Sequence, residues 1–145
     1  MKKGFTIAEI LIVVSFIVLM AMVSIPMFRA SQKLTVLKSE AKILVDDLRL
    51  AQQNTVTEQK TYLVKLFSSP ASYQLIKRDG SDTVIKDRPL ASGITWQDKG
   101  GFTNDEIIFL SNGAVVSAGT VVMVNAANQT ISVEVKPSGY VRSVQ

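Results

Sequence analysis

The chain has 145 residues, enough for one globular domain of modest size, and its 47% of hydrophobic residues exclude a disordered protein. It contains neither cysteine nor histidine. Disulfide bonds, the common zinc sites and nucleophile–histidine catalytic pairs are therefore excluded, and we expect no metal, no cofactor and no enzymatic activity. Without Lys2 and Lys3 the formal charge of +4 falls to +2, too small for a general nucleic-acid-binding field.

A long apolar segment lies near the start of the chain. Residues 10–28 contain no charged side chain. As a helix these nineteen residues would span roughly 28 Å, close to the ~30 Å hydrocarbon core of a bilayer. The segment is predicted to be a membrane helix.

The residues before this segment differ from an ordinary secretory signal. Lys2 and Lys3 supply a basic start, but no A-x-A cleavage pattern follows the apolar run. The small residue at a plausible boundary is Gly4, which precedes the run. Cleavage there would leave the hydrophobic helix on the mature protein.

Glu9 is an unusual residue at the start of a membrane helix, where a carboxylate is costly. It could mark the edge of the span, or act as a first-turn acid favoured by the helix dipole. It could instead pair with a positive charge inside the membrane, such as a new amino terminus on a neighbouring subunit, and so set the register between subunits.

The segment GFTIAEI at residues 4–10, with the basic start and the apolar run, resembles the class III signal of type IV pilins and type II secretion pseudopilins. The resemblance implies that a prepilin peptidase cuts between Gly4 and Phe5 and N-methylates Phe5, and that Glu9 is the matching glutamate. It implies four partners: the peptidase, other pilins or pseudopilins in a filament, the inner-membrane assembly machinery and membrane lipid. Ala8 departs mildly from the family's run.

Charge counting does not orient the helix, because basic residues occur on both sides of it. On the far side these are Arg29, Lys33, Lys38 and Lys42. The family resemblance places the leader in the cytoplasm and the head on the periplasmic side of a bacterial inner membrane.

Beyond residue 28 the sequence becomes amphipathic. Apolar residues recur at spacings of three and four, and no Gly or Pro occurs from residue 27 to residue 58, which predicts one helix from about Phe5 to Glu58 with its outer half on a sheet. Alternatively, the same apolar residues could form the seam of a coiled coil. The stripe consists of Leu34, Leu37, Ala41, Leu44, Leu48, Ala51 and Thr55.

Pro26 lacks an amide hydrogen and should kink or locally open the helix. One interpretation is a kink at the membrane exit that has no functional role. Because similar pilins carry a proline here, we hypothesise that residues 23–26 unwind in a filament.

From residue 61 onward, short β-rich runs alternate with turn residues, which predicts an α+β fold with the helix against an antiparallel sheet. The predicted strands are residues 62–67, 73–77, 83–86, 107–110, 121–125 and 131–136.

Two C-terminal segments, residues 108–113 and 135–142, resemble H-type pseudopilins and FimT-like minor pilins. In DNA-binding FimT-like members a closing Gly-Arg-x-Arg motif binds phosphates, but the run from Gly139 keeps only Arg142 of the two arginines. One arginine with one tyrosine makes a poor phosphate patch, so DNA is not the expected partner. Lys136 could act together with Arg142, and Tyr140 could stack on an exposed base.

Three acidic pairs lack the ligand spacing of a known metal loop. Asp46 and Asp47 are expected to face solvent on the helix, and the others to lie in turns. Those are Asp79 with Asp82, and Asp105 with Glu106.

The sequence thus predicts a leader at residues 1–4, a transmembrane and filament-core helix at 5–28, an amphipathic helix at 29–60 and a β-rich head at 61–145. The expected function is that of a minor pilin or pseudopilin in a type II secretion pseudopilus or type IV pilus. One alternative is an uncleaved single-pass anchor presenting a binding domain. Another is a DNA-binding minor pilin.

Overall fold

The structure is a computed structural model that describes the backbone of residues 6–144, and the side chains of these residues except 23 and 25–31. The predicted processing residues Gly4 and Phe5 lie outside the described residues. The side chain of Pro26 lies outside them too.

One helix, α1 (Ile7–Glu58), runs along the molecule and then packs on the sheets. Thr6 caps its first turn, and Gln59 ends it in the left-handed conformation with φ of 55°. The backbone stays helical through position 26. The prediction of one long helix is confirmed.

Within residues 6–144, eight antiparallel strands form two four-stranded sheets rather than the single sheet expected from the sequence. The first sheet has the order β3-β2-β1-β5 and the second the order β4-β6-β7-β8. The strands are β1 (Thr61–Ser68), β2 (Ala71–Asp79), β3 (Ser81–Pro89), β4 (Ile94–Asp98), β5 (Glu106–Phe109), β6 (Gly119–Asn125), β7 (Thr130–Val135) and β8 (Val141–Val144).

The α+β fold class is confirmed, and six of the eight strands coincide with predicted runs. Strands β4 and β8 were missed because they are short edge strands, and each buries only one residue completely. The indole Nε1 of Trp96, on β4, donates to the carbonyl of Phe67 on β1 at 2.8 Å and so joins the two sheets.

The apolar stripe of α1 packs against both sheets, which confirms core packing over a coiled-coil seam. Each large aliphatic side chain buried in this way contributes on the order of 1.5–3 kcal/mol. Six of its seven residues are buried and Leu34 is partly buried. The buried ones are Leu37, Ala41, Leu44, Leu48, Ala51 and Thr55.

Asp47 does not face solvent, contrary to the sequence prediction, whereas its neighbour Asp46 does. Successive helix positions are turned by about 100°, so one aspartate reaches the sheet and the other does not. The Asp47 carboxylate accepts a hydrogen bond from the Tyr73 hydroxyl and another from Lys86 Nζ, both at 2.6 Å. Burial, together with this carboxylate, raises the pKa of the Tyr73 phenol.

Two glycine turns meet beside the end of α1. Gly139, with φ of +79°, lies against the carbonyl of Gly113, which also accepts from Gln52 Nε2 at 2.6 Å. A Cβ at position 139 would collide with both groups. The carbonyl of Val141 accepts from Arg49 at 3.0 Å, so α1 fixes the start of β8 as well.

Asp47→Ala should lower the free energy of unfolding by about 2 kcal/mol, because it leaves a buried phenol without its acceptor and an ammonium without its partner. Urea titration of the detergent-solubilised chain, followed by circular dichroism, measures this. Asp46→Ala is the matched control and should change stability by less than about 0.5 kcal/mol. Equal effects of the two substitutions would contradict the buried role of Asp47.

Gly139→Ala should destabilise the chain more than Gly80→Ala. Both glycines are left-handed, with φ of +79° and +76°, but a Cβ at Gly80 meets nothing within 4 Å. Both substitutions therefore carry the backbone penalty of about 1–2 kcal/mol, and only the first adds an overpacking cost of about 1–3 kcal/mol. The same urea titration checks the difference, and indistinguishable midpoints would show that the two turns can separate freely.

Candidate functional site

Glu9 closes the first turn of α1 by a reciprocal capping box with Thr6. Its Oε2 accepts from the Thr6 amide at 2.8 Å and from the Thr6 hydroxyl at 2.9 Å, while its own amide donates to the Thr6 hydroxyl oxygen at 3.3 Å. Within the chain, Glu9 is thus the first-turn acid that the sequence allowed. The role of Thr6 was missed, although the pattern Thr-x-x-Glu before an apolar run is its signal.

The first part of α1, residues 7–22, has apolar side chains on every side except for Glu9 and Ser15; we call it the stem. Its large hydrophobic side chains are all exposed, from 47% at Val18 to 80% at Ile7. Within the stem, the Ser15 hydroxyl donates a hydrogen bond to the carbonyl of Leu11 at 2.7 Å. A helix that is hydrophobic all round requires apolar surroundings, which the head of its own chain does not supply.

No helical stretch among the described residues is both long and apolar enough to cross a membrane.

The candidate DNA contacts come together at the hairpin of β7 and β8. Lys136 Nζ lies 6.0 Å from the centre of the Tyr140 ring, and the two residues close the turn through a backbone hydrogen bond at 2.9 Å. Arg142 is paired across the hairpin with Glu134 at 2.6 Å. A carboxylate therefore already neutralises the one arginine of the motif.

The four residues of the other two predicted acidic pairs are each paired with a cation, and three of the four lie in strands instead of turns. Asp79 ends β2 and Asp82 is on β3. Glu106 is a buried residue of β5 between Lys65 at 3.0 Å and Arg78 at 3.2 Å. Among the described residues, no three Asp, Glu, His or Cys side chains are grouped as a metal site would require. The other pairs are Arg78 with Asp82, Lys60 with Asp79 and Lys99 with Asp105.

Among the side chains that the structure describes, the stem is exposed and apolar, the head is packed, and no catalytic constellation is present. The apolar stem continues without a break into the buried half of α1. The head presents charged side chains in ion pairs, and it ends in the hairpin of β7 and β8.

Comparison with solved structures finds the same fold in two bacterial proteins. The minor pseudopilin EpsH from the type 2 secretion system of Vibrio cholerae superposes with a TM-score of 0.63 at 14% identity, over 74% of this chain and 95% of that one. The type IV minor pilin FimU of Pseudomonas aeruginosa superposes with a TM-score of 0.60 at 13% identity, over 75% of this chain and 88% of that one. No curated protein matches the sequence significantly.

The family of type II transport protein GspH matches residues 40–139, which include most of the head-packing part of α1 and most of the head. The match contains both glycine turns and the buried acids of α1, the features that fix the helix on the sheets. The chain therefore belongs to the GspH family of minor pseudopilins, type IV pilin-like proteins that serve as structural filament subunits and not as enzymes.

Proposed function

We propose that the chain is a minor pilin or pseudopilin that is inserted in the bacterial inner membrane by residues 5–28, cut between Gly4 and Phe5 by a prepilin peptidase, and assembled through its stem into a type II secretion pseudopilus or type IV pilus. The observation that carries the proposal is the stem, which is apolar on every side except for Glu9 and Ser15 and joined without a break to a packed head.

Such a stem can be covered by lipid or by the stems of other subunits, first by one and then by the other. Lipid covers it after insertion, since the sequence from residue 10 to residue 28 is free of charge and long enough for a bilayer. Stems of other subunits cover it after assembly. Transfer between the two is energetically balanced, because lipid tails and aliphatic side chains are similarly apolar.

Pro26 lies at the junction of the two halves of α1, where the backbone is helical in the single chain. The missing amide hydrogen makes this turn the least costly place to open. We propose that residues 23–26 unwind when the subunit enters a filament. A filament map with unbroken α-helical hydrogen bonds there would contradict it.

A DNA-uptake role has less support than a structural one. Phosphate binding by Arg142 would compete with its 2.6 Å pair to Glu134, and Lys136 and Tyr140 are near-neighbours of each other on the same turn. One free cation beside one aromatic ring gives a weak, salt-sensitive contact.

Mass spectrometry of the chain from membranes of a host with a prepilin peptidase should find a mature protein that begins at N-methylated Phe5. Gly4→Val is the matched variant, which should leave the leader attached, because only a small residue fits the predicted cleavage site. An intact Met1 on the unmodified chain would overturn the proposal in favour of an uncleaved membrane anchor.

Glu9→Ala and Glu9→Gln separate the two roles of this carboxylate. Glutamine keeps the capping box with Thr6 but removes the charge, whereas alanine removes both. If Glu9 pairs with a cation of a neighbouring subunit, both variants should be cleaved normally and enter filaments roughly tenfold less well, as for the loss of about 1.4 kcal/mol. Immunoblots of sheared filaments against membranes measure the incorporation.

A Glu9→Gln variant that assembles as well as the unmodified chain would contradict charge pairing. Capping would then be the whole function of Glu9. If both variants assemble normally, assembly requires neither the capping by Glu9 nor its pairing with a cation.

A further inference from the structure

A groove opens at the base of the head, which is the end of the head that lies nearest to the stem along α1. It has a volume of about 350 Å³. One wall is the part of α1 that carries Gln32, Lys33 and Val36. The opposite wall consists of residues 92–94, at the start of β4, and residues 125–126, at the end of β6. We call it the base groove.

The far wall of the base groove is held on α1 by Asn125. Its Nδ2 donates to the carbonyl of Lys33 at 3.2 Å and to Oε1 of Gln129 at 2.9 Å. Its Oδ1 accepts from the amides of Ala127 and Gln129 at 2.9 Å and 3.0 Å. Both polar groups of this buried side chain are thus engaged, and Asn125 fixes the shape of the wall.

The lining combines apolar surface with side chains that can donate hydrogen bonds. Val36 and Ile94 supply apolar surface. The donors are the Gln32 amide, the Lys33 ammonium and the Ser92 hydroxyl. Lys33 is the one charged residue among the lining side chains that the structure describes. Such a lining suits a ligand that has an anionic group next to an apolar part.

The surroundings of Lys33 in the sequence are free of acids. Residues 10–39 contain no Asp or Glu, and the loop residues 90–94 and 125–129 carry no charge. The next acid along α1 is Glu40, which Arg88 binds at 3.5 Å. The base groove is therefore complementary in charge to an anion.

The base groove lies at the level of the lipid headgroups when residues 10–28 occupy the hydrocarbon core. Lys33 is five residues beyond residue 28, which is about 7.5 Å along a helix. The headgroup layer on each side of a bilayer is about 5–7 Å thick. Because side chains on a helix tilt toward its N-terminus, the Lys33 ammonium reaches back toward this layer.

We propose that the base groove binds the headgroup of one anionic phospholipid, with the phosphate on the Lys33 ammonium and the glycerol on the apolar wall. The proposal rests on the proposed function, since insertion of the stem brings headgroups to this level. A zwitterionic headgroup binds less well, because it carries a cation of its own that Lys33 repels. The bound lipid contacts α1 and both loops, and so sets the height of the head above the membrane.

Native mass spectrometry of the full chain in detergent tests the preference. With equal amounts of phosphatidylglycerol and phosphatidylcholine of the same acyl chains, the chain should retain one phosphatidylglycerol. Lys33→Gln should lower the ratio of the two retained lipids roughly fivefold, the effect of one lysine at an anionic surface. Lys42→Gln is the matched control, because Lys42 is exposed and turned from Lys33 by about 180°. Equal losses in the two variants would overturn the base groove as the site.

Ala126→Trp tests the base groove without a change of charge. The indole should occupy much of the groove and lower phosphatidylglycerol retention at least fivefold. Ala127→Trp is the matched control, because Ala127 is exposed in the same loop and does not line the groove. Thermal unfolding of each variant within a few degrees of the parent shows that the head is intact. Unchanged retention by a folded Ala126→Trp variant would overturn the proposal, and if that variant unfolds, the two lysine variants decide.

Flotation with phosphatidylcholine vesicles measures insertion of the stem separately, because this lipid has no net charge. A chain that floats but retains no phosphatidylglycerol would overturn the lipid site and leave the proposed function standing. A chain that does not float would overturn membrane insertion, and the lipid site with it. Because the chain has no cysteine, Ala126→Cys can carry a benzophenone label in membranes. A photo-adduct with phospholipid is expected, and one with a protein instead would overturn lipid as the occupant.

Discussion

The burial of one stripe of α1 against two sheets is the contact on which the rest of the molecule depends. Leu37, Leu44 and Leu48 are fully buried there, and the helix touches strands of both sheets. The two sheets also contact each other directly, through the hydrogen bond from Trp96 on β4 to Phe67 on β1 and through the hydrogen bond from the Val115 amide to the Pro137 carbonyl at 3.2 Å. The stem and the head-packing part are therefore two parts of the same helix.

Charge on α1 is sorted around the helix axis in a way that follows from this burial. Acids that reach the sheet side are paired with cations of β3, since an unpaired buried carboxylate is costly. β3 buries no side chain completely, so these ion pairs and its ladder with β2 hold it in place. The exposed side of the helix carries Lys42 and Arg49 together with Asp46.

The glycine turns of the family-matched region have a physical reason in the structure. Gly139 packs its backbone against Gly113, and Gln52 bonds the carbonyl between them. Any side chain at position 139 would separate the turn from the helix. What looked in the sequence like ordinary turn chemistry is a three-way contact between α1 and two turns.

The sequence by itself determined the long helix, its buried stripe, the α+β class and the family, because periodicity, charge-free length and the segment from Gly4 to Glu9 are local signals. Only the tertiary structure decided that Asp47 is buried while Asp46 is exposed, that Arg142 is neutralised by Glu134, and that the strands divide into two sheets. These depend on the rotation of α1 against the sheets and on strand pairing between residues far apart in the chain. No local pattern specifies either one.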